Sequence, residues 1–497
     1  MPRYVLAILF VIATAGCTVR QSGKVFPPDI PQPGREKIVG ITTRNRDVFT
    51  FDSAGGNIAG RVLKGTVHKA PFEIAIDQIE HYWVERREFS KGRTVALVAS
   101  VAAVGLIAWA VAANAGEESK PANSSCPFIY SWDGSSYVLD GEPYGGAITK
   151  GLERDDYIEL AHLRADGGSY RLLVTNESDE TQYSNLMALH VVDHPPKSQV
   201  VADANGTYHV ISAPQPLVAA RDQAGRDLLP WLNSNDRLIW EPAPVVDANG
   251  SIRNRIDLTF AKPGGARSVR LIANAATGTW GAFMMRESLA VHGRDLDAWY
   301  RTIDYNPEDR ANLFAWTLRE ELYELKVYVK EPTGWEPRGI LPGGGPVVAQ
   351  NRVVTLDVSR VQGNQLQIQI RPPSGYWALN SFAVDYGTPP APHVQRISAV
   401  AAEDASGNSV LAAISGNDES YYEMPAIGNR AYLTFPAPKA PKSGSNRTSF
   451  LHARGYYRVH LPAEGEPNRE ILQQTAQVPD LAARLAAMRF SQWRSTR

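Results

Sequence analysis

The feature that most limits the fold is the short spacing between turn-forming residues after residue 125. "FIYSW-DGSS-YVLDGE" places an Asp133-Gly134 turn between two segments, and "YIELAHLR-ADGG-SYRLLVTNE" repeats that arrangement. Aspartate followed by glycine supplies the positive φ angles that a tight hairpin demands. With 40 glycines and 34 prolines, the chain also disfavours long helices. These features predict antiparallel β structure, with both segments folded as hairpins.

The fold class that we predict is mainly β. A small SH3-like or Sm-like barrel comes first, then one transmembrane helix, and then antiparallel, jelly-roll-like β-sandwich domains. "NPEDRANLFAWTLREELYEL" predicts a helical insertion, because Asn306 is a good N-cap and Pro307 suits the first helical position. The predicted ranges are a signal peptide at 1–17, a Pro-rich tether at 18–35, the small barrel at 36–92, the hydrophobic helix at 94–113, a linker at 114–125, a β-sandwich at 126–284, the helical insertion at 285–321, jelly-roll-like strands at 322–390, a C-terminal β region at 391–461 and a helical tail at 462–497.

The N-terminus has the pattern of an export signal that ends at a cysteine. Arg3 gives a positive start, and "YVLAILFVIATAG" is an apolar run that ends in small residues directly before Cys17. "TAGC" resembles a bacterial lipobox, in which the thiol of Cys17 receives a diacylglyceryl group and the cysteine becomes the mature N-terminus. We therefore predict a palmitate-bearing lipoprotein. The alternative is an ordinary secretory signal with a coincidental cysteine.

A second apolar segment, residues 94–113, contains no charged residue and is long enough to cross ~30 Å of hydrocarbon. Basic residues cluster before it, so the positive-inside rule would place residues 18–93 in the cytoplasm. A cleaved lipoprotein signal would instead place residue 18 outside the cytoplasm. Three interpretations stay open: a membrane span, a helix at the interface or packed in protein, and a self-association helix.

Composition removes several classes of function. A net charge of −1 gives no global attraction to nucleic acid, and the two cysteines cannot supply the CxxC pairs of a structural zinc site. We predict no nucleic-acid partner, no cofactor and no metal. The predicted partners are the lipid bilayer, through Cys17 and residues 94–113, and envelope proteins or glycans.

Five carboxylates are the candidate ligand residues. "NESDETQY" concentrates Glu177, Asp179 and Glu180 just past a strand, and the first hairpin contributes Asp140 and Glu142. Together they predict a site for a hard cation or for sugar hydroxyl groups. The alternative is a solvated loop whose polar side chains cap turns.

The remaining motifs favour structural roles over catalytic or ligand-binding roles. His190 and His194 lie in a strand-like segment, where a four-residue separation places their rings about 13 Å apart, too far for one metal ion. Two Asp-Ala-Asn-Gly segments, at 203–206 and 247–250, are predicted to be hairpin turns, since valine occupies the position where a calcium loop needs an oxygen ligand. "PGGGP" at 342–346 lacks the Lys-Ser/Thr of a phosphate loop. Four tryptophans are either sugar-stacking platforms or core residues: Trp299, Trp316, Trp335 and Trp377.

Seven motifs, in order, resemble a family of exported, lipoprotein-like, β-rich bacterial proteins. They are "CPFIYSWDG", "YVLDGEPYGGAITKGLERDDY", "VTNESDETQY", "VVDHP", "LPGGGP", "YWALNSFAVDY" and "FLHARGYYRVHL". The resemblance covers most of residues 36–461 and implies a surface or periplasmic β-rich protein. It carries over no catalytic residues.

The sequence therefore predicts a lipid-anchored cell-envelope protein, on the periplasmic or outer-membrane side, with a structural or partner-binding role. One alternative is a carbohydrate-binding module that uses sandwich aromatics and the acidic loops. Another is a hydrolase with Glu177 and Asp140 as acid and base, although no G-x-S-x-G elbow occurs.

Overall fold

The chain is mainly β, as predicted, and is built from several antiparallel sheets. Contacts divide it into two compact units, residues 1–118 and 119–497. The computed structural model describes residues 18–25, 36–43, 48–51, 54–67, 70–89, 126–236, 239–242, 244–247, 249–462 and 464–495.

The membrane predictions concern segments outside that description. The signal peptide with Cys17, the apolar segment 94–113 and the linker 114–125 are not among the described residues. Within the ranges given above, no helix has the length and apolar character needed to cross a membrane.

The first unit contains two small antiparallel sheets around a shared core. Its strands are β1 (Thr18–Val25), β2 (Glu36–Thr43), β3 (Val48–Thr50), β4 (Asn57–Ala59), β5 (Val62–Val67), β6 (Ala70–Ala75) and β7 (Ile79–Phe89). The sheet orders are β1-β7-β2-β3 and β4-β5-β6. The buried core consists of Ile38, Ile41, Phe51, Leu63, Ile79, Tyr82 and Val84. Residues 18–25 of the predicted tether are placed in this unit, where β1 pairs along β7 from Thr18–Phe89 to Val25–Tyr82.

The second unit contains twenty-one further described strands. They are β8 (Phe128–Trp132), β9 (Tyr137–Gly141), β10 (Arg154–Glu159), β11 (Ser169–Thr175), β12 (Glu180–His194), β13 (Gln199–Ala202), β14 (Tyr208–Ile211), β15 (Gln215–Pro216), β16 (Ala219–Asp222), β17 (Ile256–Ala261), β18 (Ser268–Thr277), β19 (Glu324–Glu331), β20 (Gly334–Pro342), β21 (Gln350–Asp357), β22 (Gln365–Ile370), β23 (Trp377–Asp385), β24 (Val394–Ser398), β25 (Ala401–Asp404), β26 (Tyr422–Met424), β27 (Arg430–Pro436) and β28 (Asn446–Val459).

Chain order and sheet order differ in this unit. Two sheets, β10-β28-β12-β24 (with β26 also on β12) and β25-β27-β11-β8-β9, combine strands from residues 128–194 with strands from residues 394–459. The intervening chain forms β15-β23-β18-β21 and β16-β17-β22-β19-β20, while β13 and β14 pair with each other. The result is a sandwich-like fold in which one set of sheets is inserted into another.

Local turn chemistry explains the hairpins. β8 and β9 pair across the Asp133-Gly134 turn, where Oδ1 of Asp133 accepts hydrogen bonds from the backbone N–H groups of Ser135 and Ser136. Asp203 caps the turn between β13 and β14 in the same way, which confirms the predicted turn at residues 203–206. Asp247 makes the equivalent bonds to Asn249 and Ser251.

The second predicted hairpin is wrong. β10 pairs with β28, whereas β11 pairs with β8 and β27, so the two segments lie in different sheets. The chain leaves β10 through a turn in which the N–H of Leu163 donates to the carbonyl of Leu160. Asp166 and Ser169 then close a separate turn. Long-range pairing partners override the local turn signal here.

Apart from one short helix at residues 229–232, the described helices gather in two stretches of the chain. They are α1 (Leu229–Leu232), α2 (Thr279–Ala290), α3 (Leu296–Tyr305), α4 (Pro307–Glu320), α5 (Arg469–Gln477) and α6 (Leu481–Ser495). The start of α4 is confirmed, because the Asn306 side chain accepts a hydrogen bond from the N–H of Glu308 and Pro307 follows it.

Candidate functional site

Asp140, at the end of β9, is buried beside a histidine. Its Oδ1 lies 2.6 Å from Nδ1 of His162, and the backbone N–H of His162 also donates to the carboxylate. Burial raises the pKa of Asp140, and the charge of Asp140 in turn contributes to the raised pKa of Glu159. This carboxylate is therefore satisfied within the protein.

Glu142 is the most perturbed of the five predicted carboxylates. It is 2% exposed, and its Oε2 accepts hydrogen bonds from the N–H groups of Val347 (2.7 Å) and Val348 (3.1 Å). Its Oε1 is buried and has no hydrogen-bond partner among the described residues. Burial raises the pKa of Glu142 to about 8, and the nearby charges of Glu177 and Glu180 add to that shift. Glu142 therefore holds a proton at neutral pH.

The other three carboxylates differ in exposure. Glu180 is 1% exposed, accepts from the N–H of Cys126 at 2.7 Å and from Gln182, and burial raises its pKa to about 7. Glu177 is half-buried and bonded to the hydroxyl groups of Tyr130 and Thr175. Asp179 is exposed, with its Oδ1 2.9 Å from Nδ1 of His460.

The structure therefore brings Glu142, Glu177 and Glu180 within electrostatic range of one another. None of the five carboxylates lines either of the two cavities described below. Among the residues that the structure describes, no group of three or more His, Cys, Asp or Glu side chains is arranged to hold a metal ion.

The histidine pair at H-x₃-H spacing lies within β12, as the sequence predicts. Nδ1 of His190 is 2.8 Å from the hydroxyl of Tyr208, and Nε2 of His194 is 3.0 Å from Oγ1 of Thr448. Each imidazole ring therefore has a separate hydrogen-bond partner on another strand, Tyr208 of β14 for His190 and Thr448 of β28 for His194.

The glycine-rich segment 342–346 packs inside the second unit. A Cβ added to Gly344 would lie 2.4 Å from Nη2 of Arg352, and one added to Gly345 would lie 2.3 Å from Cβ of Glu142. Such distances leave no room for a side chain, so only glycine permits this approach of backbone to buried polar groups. The glycines of "PGGGP" are therefore required by packing.

One cavity of the second unit is lined by helices. Segments α2, α3 and α4 form one side, and α5 and α6 form the other, around a volume of ≈ 720 Å³ that we call the helical cavity. Its wall is mainly aliphatic and aromatic, with Met285, Leu289, Val291, Ile303, Leu313, Ile471, Leu472, Leu485, Trp299 and Trp316. A concave apolar surface of this kind is typical of small-molecule sites.

Specific bonds hold the two sides of the helical cavity together. The indole N–H of Trp316 donates to the carbonyl of Thr475 at 3.1 Å, and Nη1 of Arg319 donates to the carbonyl of Ala476 at 2.8 Å. Near the turn between α5 and α6, the N–H of Asp480 donates to Oε2 of Glu320 at 2.7 Å. The C-terminal helices are thereby fixed over the insertion.

Polar side chains also line the helical cavity: Glu287, Ser288, His292, Thr302, Asp309, Asn312, Arg319, Thr475 and Arg489. The rings of His292 and Trp299 lie 4.6 Å apart, and burial lowers the pKa of His292 to about 4, so this imidazole is neutral at physiological pH. Arg489 pairs with Glu287 at 2.7 Å, and both line the cavity. The cavity thus combines an apolar wall with polar groups that include the Arg489–Glu287 pair.

The structure separates the four predicted tryptophans. Trp299 and Trp316 line the helical cavity, and Trp335 lines a smaller groove of ≈ 380 Å³. Trp377 is 2% exposed and donates to the carbonyl of Glu321, so it is a core residue. The cavity itself is not predicted from the sequence, because its two sides are about 150 residues apart in the chain. The helical periodicity of each side is the only local signal.

No family model matches the chain, and no curated protein matches it. Among solved structures, similarity is found to a β-porphyranase of glycoside hydrolase family 86 from the human gut bacterium Bacteroides plebeius, with 9% identity over 48% of this chain and a TM-score of 0.15. The alignment spans 37% of that enzyme's chain.

Two viral structures are also similar in part. One is from Sulfolobus turreted icosahedral virus (9% identity, 69% of this chain, 100% of the other, TM-score 0.12). The other is a triple jelly-roll turret protein of an archaeal virus (8% identity, 69% of this chain, 98% of the other, TM-score 0.12). Superpositions this weak carry no argument about the fold or the function of this chain.

Proposed function

We propose that this protein is a non-catalytic binding protein that holds one single-chain amphiphile, such as a fatty acid, in the helical cavity. The observation that carries the proposal is the cavity's volume of ≈ 720 Å³ with a mainly apolar wall. That volume lies within the range of about 300–1,000 Å³ usual for small-molecule sites. Burial of an acyl chain there would contribute roughly 0.8 kcal/mol for each CH₂ group.

The charged pair at the cavity supports an amphiphile over a purely apolar ligand. The side chain of Arg489 is 45% exposed, so a carboxylate head group would have access to its guanidinium. Guanidinium and carboxylate groups form paired, charge-assisted hydrogen bonds. The apolar body of the ligand would then contact Leu313, Leu485 and the indole rings of Trp299 and Trp316.

Substitution of Leu313 by tryptophan is expected to weaken binding of a dansyl-labelled fatty acid by at least about tenfold, because the larger side chain fills the cavity. Binding is measured on the full chain by energy transfer from tryptophan to the dansyl group. Phe314→Trp is the matched control, since Phe314 is the next residue of α4, is 51% exposed and lies outside the cavity wall. Wild-type protein that does not bind the probe, or equal binding by both variants, would contradict the proposal.

We also propose that the protein acts at the cell envelope, anchored through a lipid on Cys17. The lipobox-like "TAGC" and the resemblance to exported lipoprotein-like proteins support this location. The same proposal includes two finer features of the fold. One is an SH3-like or Sm-like barrel with an adaptor role at residues 36–92, and the other is a jelly-roll order of strands at residues 322–390.

Labelled palmitate is expected to be incorporated into the wild-type protein expressed in a bacterial host and to be absent from Cys17→Ser. Cys126→Ser is the matched control, because Cys126 is buried in the second unit and should not be acylated. Label that persists in Cys17→Ser would refute the anchor.

A further inference from the structure

A groove beside Trp335, lined by residues other than those of the helical cavity, has the composition of a polar ligand site. It is lined by Ser251, Arg253, Asn254, Arg255, Gln369 and Arg371 together with Trp335. Three guanidinium groups, two carboxamides and one indole converge there, and no acidic side chain lines it. We propose that this groove binds an acidic sugar residue of a glycan, such as a uronate.

A buried donor in the groove lacks a partner. Asn254 is 7% exposed, and its Nδ2 has no hydrogen-bond acceptor among the described residues. Its Oδ1 accepts from Nε2 of Gln223, which leaves Nδ2 as the group able to serve a ligand. A buried, unpaired N–H is costly, so an acceptor such as a sugar hydroxyl or carboxylate would relieve that cost.

The cationic side chains of the groove are held in place before any ligand arrives. Arg371 lies over the ring of Tyr328, 4.3 Å from its centroid, and its Nε donates to Oε1 of Gln369 at 2.6 Å. Nε2 of Gln369 donates to Asp257 at 2.6 Å. Because these groups are already ordered, little conformational entropy is lost on binding.

The charges around the groove leave two guanidinium groups for a ligand. Arg253 is committed to Asp480 at 2.6 Å and to Glu321 at 3.2 Å. Arg255 makes only a 3.5 Å contact with Asp257 and is 53% exposed. A single carboxylate matches the fork of Arg255 or Arg371, and this requirement favours an acidic sugar over a neutral one.

Trp335 supplies the surface for the sugar ring. It is the second residue of β20 and is half-buried, and Nζ of Lys330 lies 5.4 Å from its ring centroid. An indole packs well against the C–H face of a flat, partly apolar molecule while planar side chains bond its polar edge. The groove thus offers stacking, hydrogen bonding and charge to one residue of a glycan.

The test is calorimetric titration of the full chain with an oligogalacturonate, and with a neutral dextran oligosaccharide of equal length. We expect binding of the acidic oligosaccharide only, with affinity at least about tenfold weaker in Trp335→Ala and in Arg371→Gln. Arg294→Gln is the matched control, because Arg294 is exposed and paired with Glu466, away from the groove residues.

Every other outcome overturns the proposal. Absence of binding to the acidic oligosaccharide removes the site, and equal binding of dextran removes the role of the charge. Equal competition by sodium phosphate shows general anion binding without sugar recognition. Equal loss of affinity in Arg294→Gln places the binding elsewhere. Thermal unfolding of Trp335→Ala and Arg371→Gln is measured as well. Unchanged unfolding temperatures show that a loss of affinity in these variants is not a loss of folding.

Discussion

Replacement of Asp156 by alanine is expected to lower the free energy of unfolding of the second unit by about 3–5 kcal/mol. Asp156 is 3% exposed and bonds two groups at once, the half-buried guanidinium of Arg154 and the buried N–H of Tyr144. Its Oδ1 accepts from Nη2 of Arg154 at 2.8 Å, and its Oδ2 accepts from the N–H of Tyr144 at 2.6 Å. The substitution leaves a half-buried cation and a buried N–H without their carboxylate. Urea denaturation followed by tryptophan fluorescence measures the effect.

The neighbouring aspartate provides the control. Asp155 is on the same strand, but its side chain is 35% exposed and bonds to His452 and Arg454. Partly exposed ion pairs contribute about 0–1 kcal/mol each, so Asp155→Ala should cost far less than Asp156→Ala. Equal costs for the two variants would show that the buried bonds of Asp156 do not stabilise the fold as described.

Stability is expected to fall as pH rises from about 4.5 to about 8, and Glu142 makes the largest single contribution. Burial raises the pKa of this carboxyl from 4.5 to about 8. Between those values the folded state holds a proton that the unfolded state has released, so the stabilisation is complete below pH 4.5 and is lost as pH approaches 8. A shift of that size corresponds to a loss on the order of 4 kcal/mol.

Glu142→Gln should remove that part of the pH dependence, because glutamine resembles the protonated carboxyl and carries no ionisable group. The urea midpoint is compared at pH 5 and pH 8 for the wild type and the variant. Glu180 and Glu324, whose pKa values burial raises to about 7, keep their own contributions of the same sign, so the slope of the variant is reduced and not abolished. Glu403→Gln is the control at an exposed position. A variant that retains the wild-type slope would contradict the assignment to Glu142.

Local sequence patterns predict the parts of the fold that local chemistry determines. The Asp133-Gly134 turn, the Asp203 turn and the cap at Asn306 each depend on bonds within a few residues. A side chain that accepts a backbone hydrogen bond two residues later specifies a turn or a helix start without help from the rest of the chain. The corresponding hairpins and helix are confirmed.

Such local patterns do not show which distant strands pair with each other. β10 carries a good hairpin signal with β11, yet it pairs with β28, almost 300 residues later in the chain. Burial of Ile158 against the strands that surround it outweighs a local turn preference. Sheet order across residues 128–194 and 394–459 therefore could not be obtained from the sequence alone.

The candidate site shows the same limit. The sequence identifies the five carboxylates by their proximity in the chain, but burial and hydrogen bonds engage Asp140, Glu142 and Glu180 inside the protein. The sequence leaves two interpretations for Trp299 and Trp316, as sugar-stacking platforms or as core residues. Their shared cavity depends on α5 and α6, which follow them by about 150 residues, so no local motif could reveal it.

The most direct measurement of the central proposal is photo-crosslinking of the full chain with a diazirine-labelled fatty acid, followed by mass spectrometry of its peptides. We expect labels in residues 279–320 and 469–489. These labels should be lost in Leu313→Trp and retained in Phe314→Trp. Labels that fall elsewhere in the chain, or that are equally strong in Leu313→Trp, would contradict it.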